Sequence, residues 1–335
     1  MSRSLALITG SVVVAFLTGC AGGPSGSPGP AGRSPAGRSP TTAATDRPGA
    51  ALEIDLGGGG PLGIAVVDTT AFVVLEAAGE LVTVDLQRGE VVDRLAIGSG
   101  AMLVDANVER VVIGRYAAPD GNGLLVMGRG GREVRGVATP ELAGLSLNGL
   151  DRAWALGSAG EVLMVDLAAR QVTDRGAIEV NELEHLNGIA SGGSFFASSD
   201  TTPVRRLEVD GSGTPLETHV IETGGGIPFT VDGGLVWGAR ADELWAVDPA
   251  TNEVRRRIPL TGLIEVLALD VDVARGEAWI AGRRPGQVGV VMDVDLASGD
   301  LRSEHATRLP AGVAIVGGRV WVTDYEADAL LGFER

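Results

Sequence analysis

Short apolar runs dominate the chain from residue 51 onward, and Gly, Pro, Asn or Asp bounds most of them. Runs such as residues 63–67 and 72–75 are only about four to seven residues long, which is typical of β-strands and too short for most helices. The runs recur in groups of four, joined by tight turns. This pattern predicts an all-β fold built from many short antiparallel strands.

A bulky residue recurs in the middle of the second strand of every group, at steps of about 40 to 42 residues, which is the repeat length of a propeller blade. The seven positions are Phe72, Val112, Trp154, Phe196, Trp237, Trp279 and Trp321. The repeat predicts a seven-bladed β-propeller with four antiparallel strands per blade, in which Trp154, Trp237, Trp279 and Trp321 are buried between neighbouring blades. Trp245 is off this register, and we expect it to be more exposed.

A Val-Asp pair ends the third strand of several groups, and a turn with Gly or Asn usually follows it. The acidic residues are Asp85, Asp166, Asp248 and Asp295. A carboxylate at this point accepts hydrogen bonds from the amides of the following turn. We therefore interpret these residues as structural.

The final group, residues 310–335, supplies three strands and lacks a fourth. Residues 52–57 resemble the fourth strands of other groups, such as residues 256–262. A ring of sheets requires every blade to have its outer strand, since an open edge is a site of unwanted pairing. We predict that this N-terminal strand closes the last blade, so that the propeller spans residues 51–335.

Residues 1–19 have a charged start and a short apolar core, the proportions of a signal peptide. They end at Cys20, the single cysteine of the chain, in the sequence Leu-Thr-Gly-Cys. This segment resembles the lipobox of bacterial lipoproteins. The resemblance implies palmitate-type lipidation of Cys20 and an extracytoplasmic domain anchored to a membrane, on the outer face of the cell membrane or on the periplasmic side. Residues 20–50, rich in Gly, Ser and Pro, are the predicted disordered linker.

The charge of the chain limits its partners. The net charge is −16, and all 27 basic residues are Arg. Because nucleic-acid binding depends on a surplus of basic groups that displaces counterions, we expect no nucleic acid as a partner. The expected partners are the membrane, through the lipid, and an unidentified extracytoplasmic protein or small molecule.

Residues 61–67 and 310–316 share a Pro-x-Gly-[Ile/Val]-Ala opening. This motif, with the Val-Asp turns, resembles the YVTN and NHL repeat propellers, and to a lesser degree streptogramin lyases and the SMP-30/gluconolactonase group. The first resemblance implies a binding or scaffold module without catalysis.

Polar residues concentrate where the fourth blade begins. Glu184 and Asn187 precede or start its first strand, and Asp200 follows its second strand. The setting of Asn187 and Asp200 resembles the SMP-30/gluconolactonase group, where Glu, Asn and Asp oxygens from different blades hold one divalent cation. Asn148, which has a similar Leu-Asn-Gly setting, is a weaker candidate. Residues 181–184 also resemble an Asn-Glu-Leu-Glu segment of bacterial glutamine cyclotransferases.

Two functions follow from these observations. The first is a membrane-anchored binding or scaffold propeller that needs no cofactor, with Glu184, Asn187 and Asp200 among its ligand contacts. The alternative is a metal-dependent hydrolase or lyase on the same fold, with Ca²⁺ or Mg²⁺ at the channel mouth, since hard oxygen ligands suit these ions. No motif identifies a catalytic residue, and the same oxygen-rich segment could serve only to cap strand ends.

Overall fold

The computed structural model describes residues 52–116, 118–179, 186–199, 201–209 and 214–335. Within these ranges 28 strands form seven antiparallel sheets of four strands each. The fold is therefore an all-β seven-bladed propeller, as the repeat predicts. Cys20, the linker, Glu184 and Asp200 lie outside the described residues.

Each blade is a meander that runs from an inner strand to an outer one, and blade seven takes β1 as its outer strand. The strands of the first three blades are β2 Pro61–Val67, β3 Thr70–Leu75, β4 Glu80–Asp85, β5 Glu90–Ala96; β6 Ala101–Ala106, β7 Arg110–Arg115, β8 Leu124–Gly128, β9 Arg135–Val137; β10 Leu142–Leu147, β11 Arg152–Gly157, β12 Glu161–Asp166 and β13 Gln171–Ala177. Those of blades four and five are β14 Leu186–Ser191, β15 Ser194–Ser199, β16 Val204–Val209, β17 Pro215–Ile221; β18 Phe229–Asp232, β19 Leu235–Arg240, β20 Glu243–Asp248 and β21 Glu253–Pro259. Those of blades six and seven are β22 Glu265–Asp272, β23 Glu277–Arg284, β24 Val288–Asp295, β25 Leu301–Thr307; β26 Pro310–Val316, β27 Arg319–Asp324, β28 Ala329–Glu334 and β1 Leu52–Asp55.

The ring is closed in two ways. The inner strands of neighbouring blades contact one another all round the ring, including β26 against β2. At the outer edge β1 pairs with β28, with Leu52 opposite Gly332 and Asp55 opposite Ala329. This confirms the predicted closure of the last blade by the N-terminal strand.

The middle strands of each blade are covered on both faces because a neighbouring blade packs on each side. The seven residues that recur at steps of about 40 to 42 are all buried, which confirms the prediction for the four tryptophans among them. The expectation for Trp245 is wrong, since its side chain is fully buried. It packs edge-to-face against Phe229, with ring centroids 5.6 Å apart, and its indole N–H donates to the carbonyl of Gly225 at 3.0 Å.

The two ends of the ring are different surfaces. The mouth face is formed where inner strands begin and second strands end, and the turn face carries the turns that follow first and third strands. The predicted turn aspartates lie on the turn face, where Asp85 Oδ1 accepts from the amides of Gln87 and Arg88 at 2.9 and 3.0 Å. Hydrogen bonds from the amides of Ser298 and Ala297 and from Arg302 lower the pKa of Asp295 to about 2. These carboxylates therefore have the structural role expected of them.

Candidate functional site on the mouth face of blade four

Asn187 is the one member of the predicted site that the structure describes. It is the second residue of β14, opposite Ser198 of β15, which places it at the mouth end of the inner strand. The residue is buried. Its strand lies close against blade three, since a Cβ at Gly144 would be only 2.9 Å from the amide nitrogen of Gly188. The site therefore begins on a strand that is held firmly in the ring.

The two ends of the Asn187 amide are in different situations. Its Oδ1 accepts a hydrogen bond from the backbone N–H of Gly188. Its Nδ2 is buried and has no hydrogen-bond partner among the described residues. Leaving a buried polar group without a partner costs free energy, on the order of 1–3 kcal/mol. The unpaired atom is a donor, so its complement is an acceptor oxygen.

The polar groups next to Asn187 have hydrogen-bond partners in blade four and in the segment that leads to blade five. Ser198 Oγ donates to the carbonyl of Thr202 at 2.7 Å, and the amide of Thr202 donates to Ser199 Oγ at 3.0 Å. The carbonyl of Ser199 accepts from the amide of Gly226, which links blade four to blade five. These bonds hold the end of β15 beside Asn187.

Asn148, the weaker candidate, does not join this site. It follows β10, and its amide donates to the carbonyl of Arg152 across the turn that begins β11. That turn is on the turn face, at the opposite end of the ring from Asn187. The similar Leu-Asn-Gly sequences therefore occupy different ends of their strands.

Other polar side chains of the mouth face have hydrogen-bond or ion-pair partners within the ring. Tyr325 of blade seven donates its hydroxyl to Glu76 of blade one at 3.2 Å, and burial together with that carboxylate raises the pKa of Tyr325. Asp324 is fully buried and accepts from the amides of Arg308 and Leu309 at 2.8 and 3.0 Å. Arg115 pairs with Asp120 at 2.8 Å. These residues tie loops together.

No three His, Cys, Asp or Glu side chains are arranged to hold a metal ion in the part of the chain that the structure describes. Glu184 and Asp200 are not among those residues, so their role as ligand contacts stays a prediction. In the same described ranges no helix is long and apolar enough to cross a membrane.

The turn face carries clefts that the sequence did not indicate. One of about 630 Å³ lies between blades seven and one and includes Arg319 and Trp321 in its lining. Another of about 310 Å³ lies between blades two and three. Such clefts depend on how two blades meet, which a repeat of 40 to 42 residues does not reveal.

Comparison with known proteins identifies the fold and nothing finer. No known protein family matches the chain. No curated protein matches it either. Among solved structures, the chain is similar to the crystal structure of the computationally designed Ika8 protein, with a TM-score of 0.59 and 12% identity over 86% of this chain and 100% of that one. Since 1363 solved chains match and this identity is low, the likeness shows the propeller fold alone.

Proposed function

We propose that the chain is a membrane-anchored, extracytoplasmic binding or scaffold propeller whose ligand presents an acceptor oxygen to blade four. The observation that carries the proposal is the buried Nδ2 of Asn187, which lacks a partner among the described residues. A site that leaves such a donor unpaired becomes more favourable when a ligand carbonyl, carboxylate or hydroxyl reaches it. Glu184 and Asp200 are the proposed neighbouring contacts.

The anchor belongs to this proposal through the lipobox-like segment that ends at Cys20. The location of Leu52 supports an arrangement in which the mouth is accessible. β1 begins beside Gly332, near the turn-face end of β28, so the chain enters the propeller from the face opposite the mouth. An attachment through Cys20 would then leave the mouth unobstructed by the tether.

The metal-dependent enzyme of the SMP-30/gluconolactonase type is the second candidate. A hard cation binds oxygen, and one of the two lone pairs of the Asn187 oxygen already accepts the amide of Gly188. The group without a partner among the described residues is the Nδ2 donor, which an acceptor ligand satisfies and a cation does not, so we rank the metal site second.

Two experiments test the proposal. Metabolic labelling with palmitate should mark the native protein and not Cys20→Ala, and undiminished labelling of that variant contradicts the anchor. To test the site, a photo-crosslinking amino acid is introduced in living cells at the position of Asp200. In a control protein the same amino acid replaces Val92, an exposed residue of β5.

We expect irradiation to add a discrete mass to the purified protein from the position of Asp200 and not from that of Val92. Asn187→Leu, which removes the donor but keeps a side chain of similar size, should abolish the adduct. Equal adducts at the two positions, or an adduct that survives Asn187→Leu, contradict ligand binding at blade four.

A further inference from the structure

The cleft between blades two and three is lined by several arginines. It encloses about 310 Å³, close to the smaller ligand sites of proteins. Its lining includes Arg110 and Arg135 of blade two and Arg170 of blade three, together with the acidic Glu133. Three guanidinium groups thus meet at one opening on the turn face.

In the lining of this cleft basic residues outnumber acidic ones, whereas the whole chain has 43 acidic and 27 basic residues. Arg110 pairs with Asp151, a residue outside the lining, at 2.8 Å, and the Asp151 side chain is 61% exposed. Arg135 pairs in the same way with Glu133, so two of the three arginines in the lining have a carboxylate partner. The lining and these partners therefore keep one positive charge in excess, that of Arg170, on a protein whose net charge is −16.

Arg170 has an unfavourable backbone conformation. It lies four residues after Asp166, where the equivalent turns of blades one, five and six have Gly89, Asn252 and Gly299. All four residues have positive φ, which is 57° for Arg170. Gly and Asn adopt this left-handed conformation readily, whereas for a residue with a long side chain it costs free energy. Blade three thus has an arginine where its sister turns have the residues that suit the turn.

The guanidinium groups also retain free donors. Each has five N–H bonds and no acceptor. The side chain of Arg170 makes no hydrogen bond or ion pair with any residue that the structure describes. In Arg110 one terminal nitrogen donates to Asp151, and in Arg135 one terminal nitrogen donates to Glu133. The free guanidinium of Arg170 therefore supplies the donors at the opening, and Arg110 and Arg135 add charge beside it.

We propose that this cleft binds a phosphate group, with Arg170 as its principal contact and Arg110 and Arg135 as supporting charges. Guanidinium groups bind phosphate oxygens through paired, charge-assisted hydrogen bonds. A phosphate monoester carries about −1.5 to −2 charges near pH 7, more than a carboxylate, which fits three arginines better. Met127 and Leu167 supply apolar wall for the rest of the molecule.

The phosphate has two possible sources with the same chemistry. One is the headgroup of an anionic phospholipid, because β1 begins on the same face as the cleft. The other is a soluble phosphate compound. The site itself depends on neither the lipid anchor nor the blade-four ligand, so their failure leaves it intact.

The test uses the full-length Cys20→Ala chain, which has no lipid at that position to confuse membrane binding. Inorganic phosphate is titrated by calorimetry at constant ionic strength, and co-sedimentation compares phosphatidylglycerol with phosphatidylcholine vesicles. Arg170→Gly is the main variant, because it restores the residue that blades one and six use and should fold at least as well. Arg135→Gln is the second variant. Arg88→Ala, an exposed arginine of the equivalent turn in blade one, is the matched control.

We expect Arg170→Gly to weaken binding by about tenfold or more, as loss of a charge-assisted contact does, and Arg88→Ala to leave it unchanged. Binding of inorganic phosphate supports a soluble source, and binding confined to phosphatidylglycerol vesicles supports the headgroup. No binding in either assay, or equal binding by native, Arg170→Gly and Arg135→Gln chains, overturns the proposal. So does binding of an oligoglutamate peptide without binding of phosphate.

Discussion

The carboxylate of Asp270 in blade six accepts a hydrogen bond from the hydroxyl of Thr230 in blade five, at 3.1 Å. Its other oxygen accepts from the amide of Ile315 in blade seven, at 2.7 Å. One side chain therefore connects three consecutive blades at the inner ring. Asp105 makes a related bond between blades two and three, where its Oδ2 accepts from the amide of Leu147 at 2.8 Å.

The first prediction follows from the burial of Asp270, which raises its pKa to about 6 despite the hydrogen bonds from three donors. The pKa in the unfolded chain is near the ordinary value of 3.8, so the folded state holds this proton more tightly. The resulting stability is present in full below about pH 4 and is lost as pH rises through about 6. A shift of this size corresponds to about 3 kcal/mol in the free energy of unfolding.

Urea unfolding of the native chain and of Asp270→Asn between pH 4 and 7 measures this contribution. We expect the difference in unfolding free energy between the two to vary with pH in that window. Asp295→Asn is the control, because the pKa of Asp295 is lowered to about 2 and its effect belongs between about pH 2 and 4. Parallel pH profiles for the native and Asp270→Asn chains contradict the assignment.

The second prediction concerns closure of the ring by β1. Leu56, which directly follows this strand, is fully buried, and Ile54 is buried within it. Leu56→Ala should lower the free energy of unfolding by about 2–5 kcal/mol, as a buried leucine does elsewhere. Deletion of residues 25–45 should have little effect, because the Gly, Ser and Pro content of this predicted linker offers little apolar area to bury. Similar melting temperatures for these two changes argue against a structural role of β1.

The repeat in the sequence was sufficient to predict seven blades, four strands per blade and the closing strand. The spacing of the repeat indicates the length of one blade, and the apolar runs indicate which strands are buried between neighbouring blades. The repeat could not predict the hydrogen bonds that join Thr230 and Ile315 to Asp270. Each pair lies about 40 positions apart in the sequence, and its members meet only when blades pack together. The same limit concealed the cleft at Arg170, for which the only sequence signal is an arginine at a Gly or Asn position.

Trp245 shows why burial was misjudged. Its strand β20 lies inside a blade with neighbours on both faces, so exposure does not alternate along it. A signal was present in Gly238, which lies directly opposite Trp245 in β19. A Cβ at Gly238 would be 2.2 Å from the indole ring, so the glycine provides the space that the ring occupies.

The third prediction is that all five tryptophans are protected from a charged quencher. Each is buried, and Trp154 stacks on Phe195 with ring centroids 5.3 Å apart. Iodide should quench the fluorescence of the folded protein weakly and that of the urea-unfolded protein strongly. Trp237→Ala should reduce the free energy of unfolding by about 3–5 kcal/mol. Efficient quenching of the folded protein contradicts the packing between blades.

The fourth prediction uses the contact between Gly238 and Trp245. Gly238→Ala puts a methyl group into the space of the indole, which must then move. Overpacking of this kind should cost about 1–3 kcal/mol of unfolding free energy, and displacement of the ring should increase iodide quenching. Gly234→Ala is the control. This turn glycine has a φ of 75° and no atom within 4 Å of an added Cβ, so the substitution strains the backbone without a clash. It should leave the quenching unchanged.

The last prediction distinguishes the two proposed functions by their response to metal. In the binding module, Asn187 offers a ligand its Nδ2 donor, while its Oδ1 is held by Gly188. We therefore expect millimolar Ca²⁺ or Mg²⁺ to leave Tm unchanged at constant ionic strength, with NaCl as the reference. A ligand that binds only the folded state raises Tm as its concentration increases, so a saturable rise with Ca²⁺ or Mg²⁺ supports the metal-dependent alternative. In that case Glu184→Gln should remove the rise while the metal-free protein keeps its native Tm, because the amide withdraws the negative charge that a hard cation requires.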